Sequence, residues 1–380
     1  MNTNMKSTLT VRVMCALFFI VFTFCYLFFY QDSVLAMAQH VLSNGQTVYN
    51  RTIGALIITF VLYLLHLGVY AITGLAKRTF ALNFFPSLLI LTVLTDVSPH
   101  IDEGFSFGGW WIAIPLLLLL FLGLVYVARQ FLPWEPEIQY NGFWSKMMWM
   151  NLMELVVMFF LVCSFSNIND VFHYRMDMEQ YMIQGQYRDA LQVGRKSAAT
   201  DSSLTMLRIT SLSRTGQLGN RLFEYPLVGG SSALFPDSVT TKAMVYPEDS
   251  IRYFMGIKFK QKMSPMHYLK FLEKHHLMKE PARDYLLCGY LLDKKLDLFV
   301  SSLLKYYRVD SVLPKHYKEA LILYTHRRAN PKIVYHSSVM DADYQDYQTM
   351  EHQYQDLTVR QNMLRDTYGN TYWYYYQYHK

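Results

Sequence analysis

Charge is what the first part of this chain lacks. Residues 1–169 hold seven basic and seven acidic side chains, too few to coat a water-soluble domain of that length. The other 28 basic and 22 acidic residues lie in 170–380, so the net charge of +6 belongs there. It is mixed along the sequence with no basic block, which argues against a nucleic-acid partner. Cysteine is also scarce. Cys15, Cys25 and Cys163 sit in apolar runs, where a thiol acts as a small hydrophobe, and Cys288 stands alone in the polar part. No internal disulfide is available there, which is neutral about compartment. Gly229-Gly230-Ser231 lacks the lysine of a phosphate loop, and neither Gly104 with Gly108-Gly109 nor Gly185 with Gly194 has dinucleotide spacing. With no serine elbow, zinc signature or catalytic cysteine context, no catalytic residue, metal site or cofactor is expected.

Long uncharged runs are present instead. Val13–Tyr30, Thr52–Ala76, Thr79–Thr95, Phe105–Ala128 and Met147–Phe165 read as five membrane spans, the third containing Pro86 and the fifth Glu154. The first run is too long for a signal peptide and has no small-residue cleavage site, so it is read as retained. Lys6, Arg12, Lys77, Arg78, Arg129 and Lys146 fall on one side of these spans, and Arg51 alone on the other. The positive-inside rule then places the N-terminus in the cytoplasm and residues 170–380 in the periplasm of a bacterial inner membrane. Trp110, Trp111, Trp134, Trp144 and Trp149 lie near span ends, as interfacial anchors do. Asp32–Leu42 repeats Val34, Leu35, Ala38, Val41 and Leu42 at helical spacing and stops at Asn44-Gly45, which predicts an amphipathic interfacial helix.

The grammar changes after Phe172. Phe172–Gln184, Gly185 and Tyr187–Lys196 read as helix, turn and helix; Ser202–Thr215, Gly216 and Leu218–Tyr225 repeat the pattern. Gly185 and Gly216, Tyr187 and Leu218, and Leu191 and Leu222 are each 31 residues apart. This resembles the tetratricopeptide repeat, whose period is about 34, although Arg221 stands where the first copy has Ala190. Pro247, Pro265, Pro281 and Pro314 open further helices. Leu227–Tyr246 is the one long irregular segment and reads as a site or a packed arm. The expected fold is all-α: five transmembrane helices over 1–169, a tetratricopeptide-like helical hairpin array over 170–330, and a helical tail over 331–380. In that tail Tyr372, Trp373, Tyr374, Tyr375, Tyr376 and Tyr378 crowd together. They read as a cap on the array or, with Tyr187, as a binding surface centred on Trp373 and Tyr375.

Three stretches carry a wider likeness: Gln31-Asp32 with Ala38–Ser43; Phe85–Leu88 with Leu94-Thr95-Asp96; and Leu313–Leu321. Through them the chain resembles an uncharacterised bacterial family of polytopic membrane proteins with a helical C-terminal domain, a resemblance that implies no activity. Two polar groups merit a place in the structure. Glu154 within the last span and His66 within the second form a candidate intramembrane site, read as a hydrogen-bonded pair or a proton pathway. Asp32, His40, Asp96, His100, Asp102 and Glu103 gather on the outer side, without metal-ligand spacing. Function is read as a membrane-anchored scaffold that presents its periplasmic repeats to a protein or peptide partner in the envelope, with membrane lipid around its spans. The alternative is a membrane enzyme or carrier acting on a lipid-linked or envelope substrate at the outer face.

Overall fold

The structure is a computed structural model that describes residues 3–104, 106–131, 145–237, 240–261, 263–309 and 312–379, with backbone alone over 3–8. Trp134 and Trp144 lie outside the described residues. Among those described, 72% are helical and none forms a strand. The chain divides into two compact units, Met1–His173 and Tyr174–Lys380.

In the first unit, α1 (Thr3–Cys25) widens into a π-helical turn at Tyr26–Tyr30 and is followed by α2 (Asp32–Leu42). Next come α3 (Arg51–Thr73), a 3₁₀ segment (Lys77–Phe84), α4 (Phe85–Thr95), α5 (Trp110–Phe131) and α6 (Lys146–Phe165). Five helical stretches are long and apolar enough to cross a membrane: Leu9–Tyr30, Arg51–Thr73, Lys77–Thr95, Trp110–Phe131 and Lys146–Phe165. Helix α5 buries only Phe121 and Val125 and leaves Leu116, Leu119 and Leu122 exposed. Such an apolar surface needs an apolar solvent.

The third candidate span combines two helix types, and both are needed for its length. Helix α4 has eleven residues, about half of a bilayer's hydrocarbon thickness. The eight-residue 3₁₀ segment rises about 2 Å per residue, and the two together reach about 32 Å. Pro86 sits in the first turn of α4, where its missing N–H costs nothing. The irregular backbone is met by side chains. Asn151 of α6 accepts from the Ala81 N–H at 2.8 Å and donates to the Lys77 carbonyl at 2.8 Å. Asn83 donates to the carbonyls of Leu75 and Phe80 at 3.2 and 2.8 Å. Phe19 and Phe84, with centroids 4.9 Å apart, and Phe22 and Phe159, stacked at 3.9 Å, fill the space between helices.

The second unit continues α7 (Asp170–Ile183) and adds α8 (Tyr187–Ala190), α9 (Ser202–Arg214) and α10 (Leu218–Arg221). Gly185 and Gly216 take φ of +74° and +68° at the two turns, as the spacing of the repeat requires. The second helix of each pair is shorter than the sequence pattern predicts. Tyr187–Ala190 is one turn followed by non-helical turns, and α10 tightens into a 3₁₀ turn at Leu222–Glu224 ahead of Pro226. After them come α11 (Glu248–Met255), α12 (Pro265–Lys274), α13 (Glu280–Leu292), α14 (Leu296–Tyr306) and α15 (Lys315–Arg327).

The described residues of segment 227–246 form a packed arm. Its 3₁₀ turn, Gly230–Leu234, lies against α9, α12 and α13 and buries Ala233, Leu234 and Phe235. The fully buried carboxylate of Glu179 fastens the end of the arm, accepting from the N–H groups of Met244, Val245 and Tyr246 at 2.9, 2.6 and 2.9 Å. Burial pushes this carboxyl above the usual carboxylate range against the pull of those donors. The chain closes with α16 (Ser338–Gln353), α17 (Leu357–Tyr368) and α18 (Tyr372–Tyr378). Helices α16 and α18 pack on α15.

Candidate functional site

In the aromatic tail Tyr374, Tyr376 and Tyr378 are half-buried. Tyr372, Trp373 and Tyr375 are buried. The Trp373 indole donates to the Glu319 carbonyl at 2.8 Å, and the Tyr375 hydroxyl to the Leu292 carbonyl at 2.9 Å. The polar edges of Trp373 and Tyr375 are spent inside the unit, the arrangement of a cap. Tyr187 is half-buried with its hydroxyl 3.4 Å from that of Tyr246.

The motif at 313–321 has the same physical explanation. Pro314 caps α15, and a Cβ added to Gly219 of α10 would meet Pro314 and Tyr317 at 2.9 Å, so glycine is required for this approach. His316 and Glu319 are buried and 2.8 Å apart. The Phe223 N–H donates to His316 Nε2 at 3.3 Å, leaving Nδ1 to donate to Glu319. Glu319 also accepts from the Tyr372 N–H at 2.7 Å. This network holds α18 in place.

Glu154 and His66 are not joined. His66 stacks on Phe84 with centroids 3.6 Å apart and planes 4° from parallel, and meets Phe80 edge-on. Its Nδ1 and the Glu154 Oε2 are both buried without a hydrogen-bond partner. The expected inter-helix pair is therefore absent, because aromatic packing holds the imidazole against the third span.

A cavity of about 950 Å³ lies beside α2 in the first unit. Leu35, Ala38 and Leu42 of α2, with Ile58 of α3 and Leu94 and Val97 around the end of α4, give it an apolar floor. Asp96, His100, Glu103 and Trp110 line its other side. Asp96 follows the last residue of α4, and its Oδ2 accepts the Trp110 Nε1–H at 2.8 Å, which ties the start of α5 to the end of α4. His100 and Glu103 approach to 3.4 Å, but both are about 70% exposed, so their attraction adds little stability.

Asp96, His100 and Glu103 thus come together on one cavity, while Asp32, His40 and Asp102 do not line it. Asp32 pairs with Arg51 at 3.3 Å. Arg51 also donates to the Phe28 carbonyl in the π-helical turn at 2.6 Å and lies 4.0 Å over the Phe28 ring. His40 closes α2: its carbonyl accepts the Gly45 N–H at 2.8 Å, and its ring lies against Gly45, whose φ is +76°. Among the described residues, no group of three His, Cys, Asp or Glu side chains is placed to hold a metal ion.

Tyr49 is a wall residue that sequence reasoning passed over. Its ring occupies the space above Gly54, where an added Cβ would fall 2.3 Å from Cε2. Its hydroxyl is buried with no hydrogen-bond partner. Burial, and then the nearby charge of Asp32, pushes its pKa up to about 12, so it remains a neutral donor at physiological pH. The signal available was Tyr49-Asn50-Arg51: an aromatic placed before Asn50, which caps α3 by accepting from the N–H groups of Thr52 and Ile53. The result is an apolar slot with a polar, acidic rim and one unmet hydroxyl. Its shape suits an amphiphile.

No curated protein and no solved structure matches the chain. A family model described as "Family of unknown function (DUF6057)" matches residues 102–257 and 240–379, which takes in the Glu103–Trp110 side of the cavity and the network at 313–321. Those two matches together span most of the sequence, and on that evidence the chain belongs to this family of unknown function.

Proposed function

We propose that this protein binds an amphiphilic, lipid-like molecule where α2 meets the ends of α4 and α5. The observation that carries this reading is the cavity of about 950 Å³, which sets Leu35, Ala38 and Leu42 against Asp96, Glu103 and Trp110. In this reading α2 lies along the outer interface of a bacterial inner membrane. The N-terminus is cytoplasmic and the second unit periplasmic. Charge bias supports that orientation, with Lys77, Arg78, Arg129 and Lys146 at the opposite ends of the spans from Asp32, Asp96 and Asp102. A reporter enzyme active only outside the cytoplasm, fused after the last residue, is expected to be active. A fusion active only in the cytosol overturns the orientation.

Leu42 offers the direct test of the site. It lines the cavity from the last turn of α2 and is itself exposed, so Leu42→Trp adds bulk without overfilling a core. Native mass spectrometry of the full chain extracted in mild detergent is expected to show retained lipid. Occupancy should fall about tenfold in Leu42→Trp and remain unchanged in a surface control such as Leu357→Trp. Wild-type protein that retains no amphiphile, and binds none saturably when lipid is added back, removes the reading.

The glycine-turned pairs α7–α8 and α9–α10 favour a second role for the other unit. They support a tetratricopeptide-like array offered to a protein or peptide partner, since stacked helical hairpins present extended surfaces. Together the two readings describe a carrier or scaffold in the envelope. The rival is an enzyme acting on a lipid-linked substrate, and it would need Asp96 or Glu103 for turnover as well as for binding.

A further inference from the structure

We infer that the amphiphile carries an ammonium head group, an inference that rests on the proposed lipid site and names its ligand class. The described residues lining the cavity include the carboxylates of Asp96 and Glu103 and the imidazole of His100, with no lysine or arginine. A site for a bare phosphate or diphosphate requires such cations, because phosphate recognition runs through charge-assisted donors. Two carboxylates repel that head group. They attract a primary ammonium, which brings three donors and no acceptor.

The available atoms suit this choice. The Trp110 indole occupies Asp96 Oδ2, which fixes the carboxylate plane and leaves Oδ1 as an acceptor. Arg51, the nearest cation in sequence to Tyr49, is engaged with Asp32 and the Phe28 carbonyl and is not part of the lining. Tyr49 supplies a donor with no partner of its own, which matches the ester carbonyls below a lipid head group. Ile58 of α3 and Leu35 of α2 add apolar side chains to the same lining. The inference thus places an ammonium at Asp96 and Glu103, an ester carbonyl at Tyr49 and methylenes along Leu35 and Ile58.

The experiment uses the full chain, delipidated in detergent and titrated with phosphatidylethanolamine or phosphatidylglycerol of identical acyl chains. Phosphatidylethanolamine is expected to bind at least tenfold more tightly. The double variant Asp96→Asn, Glu103→Gln keeps acceptors at both positions, including one for Trp110, and is expected to bring the two affinities within about twofold. Glycerophosphoethanolamine, the same head group without chains, is expected to compete at least a hundredfold more weakly than the lipid; equal competition would make the ligand a soluble amine and overturn the inference. Equal or tighter binding of phosphatidylglycerol by the wild type also overturns it while leaving the amphiphile site standing. So does an ethanolamine preference that survives the double variant. If the wild type binds neither lipid saturably, the underlying site reading falls as well.

Discussion

Replacing Glu319 by alanine is expected to release the aromatic C-terminus and lower the stability of the second unit by about 3–5 kcal/mol. The carboxylate is 1% exposed and is shared by His316 Nδ1 at 2.8 Å, the Tyr372 N–H at 2.7 Å and Lys315 Nζ at 3.7 Å. Removing it strands a buried imidazole N–H and a buried backbone N–H, and each stranded donor carries its own desolvation penalty. The loss should spread along α18. Trp373 lies between Tyr344, Tyr347 and Tyr368, with centroids 5.1, 6.0 and 6.5 Å away, so a displaced α18 uncovers α16 and α17 as well. In a unit of this size the drop corresponds to roughly 10 °C in the apparent melting temperature. Limited proteolysis should then cut between α15 and α16 before other sites. Glu319→Gln retains one acceptor and should lose about half as much. A melting temperature within 2 °C of wild type, with the C-terminus still protected, would show that the tail is held by ring packing alone.

The same comparison shows which features were legible in the sequence. Periodicity sufficed wherever one helix face decides the matter. The helix read over 32–42 is α2, and the apolar runs form helical stretches long enough to cross a membrane. Gly185 and Gly216 announced their turns because a left-handed φ favours glycine. The arm at 227–246 was marked by its irregular composition, but its anchor, Glu179, lies 65 residues from Met244 and has no local signal. Helix α10 was overestimated as an unbroken α-helix: past Arg221 the chain tightens into a 3₁₀ turn at Leu222–Glu224, ahead of Pro226. The candidate site divided along the same line. Asp96, His100 and Glu103 were visible as polar residues in one loop, and they share the cavity. Asp32 and His40 were visible too, yet local bonds to Arg51 and the turn at Gly45 claim them. Tyr49 escaped notice because nothing in its neighbours shows that Gly54 leaves room for a ring. Tertiary packing, which no window of sequence contains, decided the case of Glu179.

Asn151→Leu should have a comparable effect on the first unit, for a reason particular to membranes. The side chain is fully buried and nearly isosteric with leucine, and leucine is better suited to an apolar surrounding, so composition alone predicts a neutral or stabilising change. The hydrogen bonds predict the opposite. Asn151 reaches the Ala81 N–H and the Lys77 carbonyl, both in the 3₁₀ segment that completes the third span, and also its own helix at the Met147 carbonyl. A 3₁₀ segment has poorer internal hydrogen-bond geometry than an α-helix, and in hydrocarbon no water replaces a lost partner. Two cross-helix bonds at about 1–3 kcal/mol each put the loss at about 3 kcal/mol. The full chain in detergent should aggregate at a temperature about 8 °C lower. Asn83→Leu, which removes the bonds to the Leu75 and Phe80 carbonyls, should act in the same direction. An Asn151→Leu variant as stable as wild type would mean that the 3₁₀ geometry holds without side-chain support. The third span would then owe its break to Pro86 and chain length alone, and α6 would contact it through apolar side chains such as Met148, Leu155 and Met158.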